Sequence, residues 1–164
     1  MKVSSKTRST RNESSNFRCL QSVEVEVDEE TGDVRILRMV NALDVGKVLN
    51  PKLLAGQIYG GIAQGIGYAL YEEVKSEKGR ILNPGFLDYK IPTAMDAPDN
   101  IVPIIVEVPQ PDGPYGARGV GEHTMIPAAP LIANAVEDAV GVRIKSMPVT
   151  KEKVALEFKK TGRK

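Results

Sequence analysis

The sequence predicts an α+β fold: a β-hairpin, a long glycine-rich helix, further strands completing a mixed sheet, and one or two C-terminal helices packed on that sheet. Three patterns carry the prediction. Valines 23, 25 and 27 alternate with glutamates 24 and 26, the period-two signature of a strand with one face in a core and one in water. Residues 52–74, KLLAGQIYGGIAQGIGYALYEEV, place apolar side chains at helical spacing. Apolar residues at 131, 132, 135, 136, 139 and 140 repeat that spacing in a segment that closes near Gly141.

Each element follows in chain order. Residues 1–18 hold five Lys or Arg against one Glu and almost nothing apolar, so they are expected to be a disordered or accessory arm, and 19–164 the domain. After the valine strand, DEETGD supplies a turn, with Gly32 free to take a positive φ, and VRILRMVNAL returns as the second hairpin strand. Asn50 and Pro51 mark the entry to the glycine-rich helix. Between residues 79 and 100 turn residues mix with short apolar runs, and IVPIIVEVP then reads as a strand whose Pro103 suits its start or a sheet edge. The segment PAAPLIANAVEDAVGVRI reads as a helix, and MPVTKEKVALEFKK as a final one with Thr150 as N-cap.

Composition narrows the function classes. A chain of 164 residues with 41% hydrophobic content is long enough for one ordinary core. There is no apolar run near 18 residues and no charged n-region followed by an apolar h-region, so neither a membrane span nor a signal peptide is expected and the cytoplasm is the default compartment. The charge is nearly balanced, with 22 basic and 21 acidic side chains, which offers no electrostatic argument for nucleic acid or membrane partners. Cys19 is the single cysteine and His123 the single histidine, so the chain has no metal-ligand cluster of its own.

Two stretches carry candidate chemistry. Glycines at 56, 60, 61, 65 and 67 each cost a helix up to about 1 kcal/mol relative to Ala and need a compensating reason. Close packing of another element is one reason. A ligand pressed against the helix is the other, with Gln57 and Gln64 two turns apart on one side, offering amides that both donate and accept. The second stretch is GARGVGEHT, where Glu122 ends a glycine-rich turn before a helix entry. Helix dipole and backbone N–H groups account for a carboxylate there, but not for the glycines before it, which let a backbone come close to something bulky. A carboxylate so placed, facing a cavity, is a candidate general base. His123 beside it is a rival, but no serine or cysteine nucleophile stands in a triad-like setting.

Three blocks in this order resemble the C-terminal part of the large, molybdopterin-binding subunit of the xanthine dehydrogenase and aldehyde oxidase family. They are VEVEVDEETGDVRILRMVNALDVGKVLNPKLLAGQIYGGIAQGIGYALYEE, LDYKIPTAMDAP and GARGVGEHTMIPAAPLIANAVEDAVGVRI, and the resemblance they carry extends over roughly residues 22 to 156. The resemblance implies the fold of the C-terminal half of that cofactor-binding domain. It also implies that Glu122 is the active-site base beside the molybdenum, taking a proton from its hydroxide as that oxygen attacks a heterocycle or an aldehyde and hydride leaves the substrate carbon. It assigns Gln57 to the cofactor, with Gln64, Gly56, Gly60 and Gly61 as neighbouring contact or packing positions. The cofactor is molybdenum held by the pyranopterin's sulfurs, in its molybdopterin or cytosine dinucleotide form, and needs no protein metal ligand. Iron–sulfur clusters and FAD are expected only on partner subunits.

The family's large subunit is several times longer than this chain, and the substrate-orienting residues lie in its earlier segments. The chain is therefore expected to be a fragment or split subunit, inactive alone and needing those segments or a partner chain to receive a small-molecule substrate. The alternative is a non-catalytic assembly or binding module, or the remnant of a broken gene. Apolar surface left exposed where the missing half docks predicts self-association of the isolated chain.

Overall fold

The computed structural model describes residues 3–7 and 18–161. Its main sheet has the strand order β1-β2-β3-β6, from β1 (Val3–Thr7), β2 (Cys19–Val27), β3 (Val34–Asp44) and β6 (Asn100–Val106). The first three strands pair antiparallel and β6 joins β3 in parallel, so the sheet is mixed. Between β3 and β6 run the helix α1 (Pro51–Leu70) and a two-residue-strand hairpin, β4 (Ser76–Glu77) with β5 (Arg80–Ile81). After β6 come two single 3-10 turns, Pro114–Gly116 and Glu122–Thr124, then α2 (Ala128–Val140) and α3 (Lys151–Lys160).

Part of the N-terminal arm, expected to be disordered or accessory, is a strand. Val3–Thr7 pairs with β2 from Gln21 to Val25. The segment VSSKT has almost no apolar periodicity to announce a strand, and its place rests on main-chain pairing with a neighbour. Residues 1, 2 and 8–17 of the arm lie outside the described residues.

The hairpin forms for the reasons its sequence offers. Gly32 takes φ +75°, and Asp28 accepts hydrogen bonds from the Thr31 and Glu30 amides, which hold its carboxyl below the usual carboxylate range. A side chain at Gly32 would also run into the backbone of Lys151 and Ala155, so the turn packs directly on the first turn of α3. Along β2, Gln21, Val23, Val25 and Val27 point inward in strict alternation. On β3 the inward residues are Ile36, then Met39, Asn41 and Leu43. The phase changes because the register shifts there: Val25 pairs with Ile36 but Glu24 with Arg38, leaving Leu37 as the extra residue of a β-bulge. Without it, Met39 would face the side occupied by Arg38.

Asn50 caps α1, its side-chain oxygen accepting from the Leu53 amide at 3.1 Å, with Pro51 at the first helical position. α2 lies across β2 and β1, and α1 packs on α2. The core thus joins the valines of β2 to Ile58, Ile62 and Ile66 of α1 and Leu131, Ile132 and Val136 of α2. Burying each such side chain stabilises the fold by about 1.5–3 kcal/mol. α2 ends where expected, with Gly141 in the left-handed region at φ +71°. Thr150 caps α3 through the Lys153 amide, and Val149 donates to the Ala69 carbonyl at 2.6 Å, tying the α3 entry to the end of α1. β6 is the sheet edge, as Pro103 suggests, since its one strand neighbour among the described residues is β3.

Candidate functional site

The five glycines of α1 divide by face. A Cβ at Gly61 would fall on the Thr124 side chain, and one at Gly65 would press the Ala128 side chain at 2.5 Å. Gly61 and Gly65 are four residues apart, as are Thr124 and Ala128, so one ridge of the α2 entry sits in a groove cut by these two glycines. Gly67 is filled by Glu72 and Pro92. Gly56 and Gly60 differ: nothing stands within 4 Å of a Cβ at either position. They lie on the exposed side of the helix with Leu53, Gln57, Gln64 and Tyr68, a stripe of small, amide and apolar groups open to a neighbour.

Glu122 opens the 3-10 turn seated in that groove. Thr124 is fully buried against Gly61, and Gln21 of β2 donates from Nε2 to its carbonyl at 2.5 Å. The His123 ring, donating from Nε2, bonds the Gly119 carbonyl at 2.7 Å and so closes the glycine loop on itself. The single histidine therefore braces the loop that carries the acid. Glu122 itself is exposed, and its backbone carbonyl accepts from the Met125 and Ile126 amides. No atom lies within 4 Å of a Cβ at Gly119 or Gly121, so the loop presents bare backbone on both sides of Val120.

The start of the same loop is pinned to the end of β3. Gly46, at φ +67°, lies so close to Gly116, Ala117 and Arg118 that a side chain there would strike their backbone. Arg118 donates its amide to the Val45 carbonyl at 2.9 Å, while its guanidinium Nε lies 3.6 Å from the buried Asp44 carboxylate. Between this junction and the first turns of α1 is a cavity of about 400 Å³, lined by Lys47, Asn50, Leu53, Gln57, Arg118 and Val120 among others. Gln57 and the glycine loop thus share one cavity. Glu122 stands two residues beyond Val120, outside its wall, and Gln64, Gly56, Gly60 and Gly61 do not line it either.

Two larger cavities, of about 480 and 420 Å³, share Asp33, Val34, Leu70 and Tyr71 at the other end of α1 and contain none of the predicted site residues. Burial, with Asp96 accepting from its hydroxyl, pushes the Tyr71 phenol there up to about 12.

Sequence reasoning missed Gln21, Asn41, Asp44 and Arg118. For Gln21 a signal was present, because it stands in phase with Val23, Val25 and Val27 and so had to face the core. Gln21 and Asn41 are fully buried and opposite one another in the β2–β3 register. Among the described residues neither Gln21 Oε1 nor Asn41 Nδ2 has a hydrogen-bond partner, a loss of about 1–3 kcal/mol for each such atom. Cys19 donates its thiol to Asn41 Oδ1, and burial pushes that thiol up to about 11. Thiolate is the reactive form, so alkylation of Cys19 at pH 8 should run on the order of 100-fold slower than that of a free thiol. Because the folded pKa is raised, the associated stability is complete below the ordinary thiol pKa and is lost as pH climbs toward 11. An alkylation time course read by mass checks the first point, and rapid labelling of the folded chain would contradict it.

Comparison with known proteins supplies a frame for this geometry. A molybdopterin cofactor-binding domain family matches residues 2–98. The chain is 41% identical over 142 residues to the xanthine dehydrogenase molybdenum-binding subunit of Escherichia coli O157:H7, covering 85% of the chain but 19% of that subunit. It is 41% identical over 133 residues to the aldehyde oxidoreductase of Megalodesulfovibrio gigas, covering 80% of the chain and 14% of the enzyme. Quinoline 2-oxidoreductase from Pseudomonas putida 86 superposes on 87% of the chain, and 19% of its own, with a TM-score of 0.82 at 36% identity. The chain spans about a fifth or less of the length of these relatives.

Proposed function

Because the chain belongs to the molybdopterin cofactor-binding domain family, we propose that it forms one wall of a molybdopterin site in a molybdenum hydroxylase and contributes the general base of that site. The observation that carries this reading is the cavity of about 400 Å³ in which Gln57 meets the loop ending at Glu122. The residues suit a large planar polar group. Gly56 and Gly60 offer backbone without side chains toward open space, and Gln57 offers an amide that can both donate to and accept from a pterin edge. Lys47, which also lines the cavity, supplies positive charge for a phosphate tail. Gln64, two turns along the same face, extends the contact.

When bound, the pterin-held metal supplies the two-electron oxidation of the substrate carbon. Glu122 does the proton work: its exposed carboxylate, on a loop fixed at Gly46 and again at Gly61, accepts the proton from the attacking oxygen. A rigid seat matters because a base misplaced by an ångström loses much of its effect. The substrate is a heterocycle or an aldehyde, selected by segments outside this chain, and electrons leave through iron–sulfur and flavin groups on partner subunits. The pterin is held in its molybdopterin or cytosine dinucleotide form.

A second reading, an assembly module without turnover, draws support from the apolar surface. Phe86, Leu87 and Met95 are 77, 82 and 93% exposed, and Ile104, Val106 and Val108 add to it along β6 and just after it. Under both readings the isolated chain should self-associate, and a monomeric sedimentation profile would contradict that expectation. The deciding experiment is the molybdenum and pterin content of the chain purified from its native source with whatever accompanies it. Stoichiometric metal together with a larger partner supports the hydroxylase reading. Metal-free protein lacking any partner leaves the assembly reading.

A further inference from the structure

Two positions of the β2–β3 core hold amides where the flanking inward positions hold valine, methionine and leucine. Gln21 and Asn41 are 1 and 0% exposed, and each leaves one polar atom unpaired among the described residues, so apolar side chains would serve the core better. What Gln21 gains in exchange is a single long-range bond. Its Nε2 donates to the Thr124 carbonyl at 2.5 Å, across 103 residues of sequence. Thr124 is two residues past Glu122 and fills the groove at Gly61, and its own hydroxyl donates to the Gly121 carbonyl at 3.3 Å, on the other side of Glu122. The acid is thus flanked by contacts that converge on Thr124, which the buried Gln21 amide holds by its carbonyl.

We infer that Gln21 is a positioning residue for Glu122, locking the 121–126 turn onto α1. As a statement about catalysis this rests on Glu122 being the base; as a statement about the turn it does not. Thr124 can be seated by shape alone, since Gly61 accepts its side chain, but shape leaves the turn free to rock about that contact. The Gln21 bond reaches the main chain and removes that freedom.

Amide hydrogen exchange on the full chain tests it. The Met125 and Ile126 amides, both bonded to the Glu122 carbonyl, report opening of the turn, and the Val25 amide in β2 reports the core. Gln21→Met keeps the shape and deletes the donor; Asn41→Leu is the control, removing an orphaned amide from the same core without touching Thr124. The expected result is exchange at Met125 and Ile126 at least 10-fold faster in Gln21→Met, with Val25 unchanged and Asn41→Leu like the parent. Unchanged exchange at the two turn amides would overturn the inference, as would equal acceleration at Val25, since Gln21 would then be a core residue only. If Gln21→Met does not fold, the Gln21 side-chain NH₂ protons of the unaltered chain decide: protection supports the lock, and exchange as fast as that of an exposed amide refutes it. In the assembled enzyme, Gln21→Met should lower kcat with KM unchanged. Should Glu122→Gln retain turnover, the assignment of the base fails while the exchange result stands by itself.

Discussion

Glu122→Gln in the assembled enzyme should lower turnover by about 10²–10⁴-fold, the range that a positioned general base contributes, with molybdenum and pterin contents unchanged. The two halves of that expectation have separate origins. Glutamine keeps the size and hydrogen-bonding reach of the side chain but cannot take a proton at neutral pH. Glu122 is exposed and makes no side-chain hydrogen bond or ion pair among the described residues, so its replacement should leave the stability of the chain within about 0.5 kcal/mol. Cofactor occupancy should follow stability, since Gln57 and the open glycines of α1 are untouched. Loss of both turnover and metal would indicate a holding role for Glu122, and retained turnover would remove it from the chemistry.

The neighbouring glycines of α1 should respond to alanine with opposite signs. Gly60→Ala introduces a methyl into open space and removes the entropic penalty of a helical glycine, stabilising the isolated chain by up to about 1 kcal/mol. Gly61→Ala drives a methyl into the Thr124 side chain, which is fully buried and cannot move aside, and overpacking of this kind costs about 1–3 kcal/mol. Urea denaturation of the two variants measures the difference directly. In the loaded enzyme the signs carry a second message. Gly60→Ala should reduce cofactor occupancy despite its better stability, because the methyl narrows the open stripe of α1, beside the Gln57 cavity, along which the proposed ligand extends. Equal stabilities for the two variants would mean that the groove at Gly61 adapts and that the seat of Glu122 is softer than its geometry indicates.

Much of this architecture was legible from periodicity and punctuation. Alternating valines, the Asn-Pro helix entry, the Thr150 cap and the 131–140 helix with Gly141 behind it all signal locally, and the structure places them accordingly. What escaped depends on contacts between distant segments. β1 has little of its own to mark it beyond the neighbour it pairs with, and the bulge at Leu37 becomes visible only when β2 is laid beside β3. Candidate site residues divide the same way. Glu122 and Gln57 are proposed from the motifs around them, whereas Gln21, Asp44 and Arg118 act through partners up to 103 residues away. The glycines of α1 could not be divided between packing and open faces until Thr124 and Ala128 were in place.

The 103-residue span between Gln21 and Thr124 also sets an order of events. The β2–β3 hairpin and α1 close over short loops and can form as soon as they are synthesised, but the seat of Glu122 needs Gln21 of β2 and a turn 103 residues after it. Until that turn and α2 arrive, the faces of β2 and α1 that α2 covers stay open. The acid therefore reaches its place only after the hairpin and α1 have formed, and a ribosome stalled before residue 124 would hold their apolar faces without α2 over them, which invites premature association.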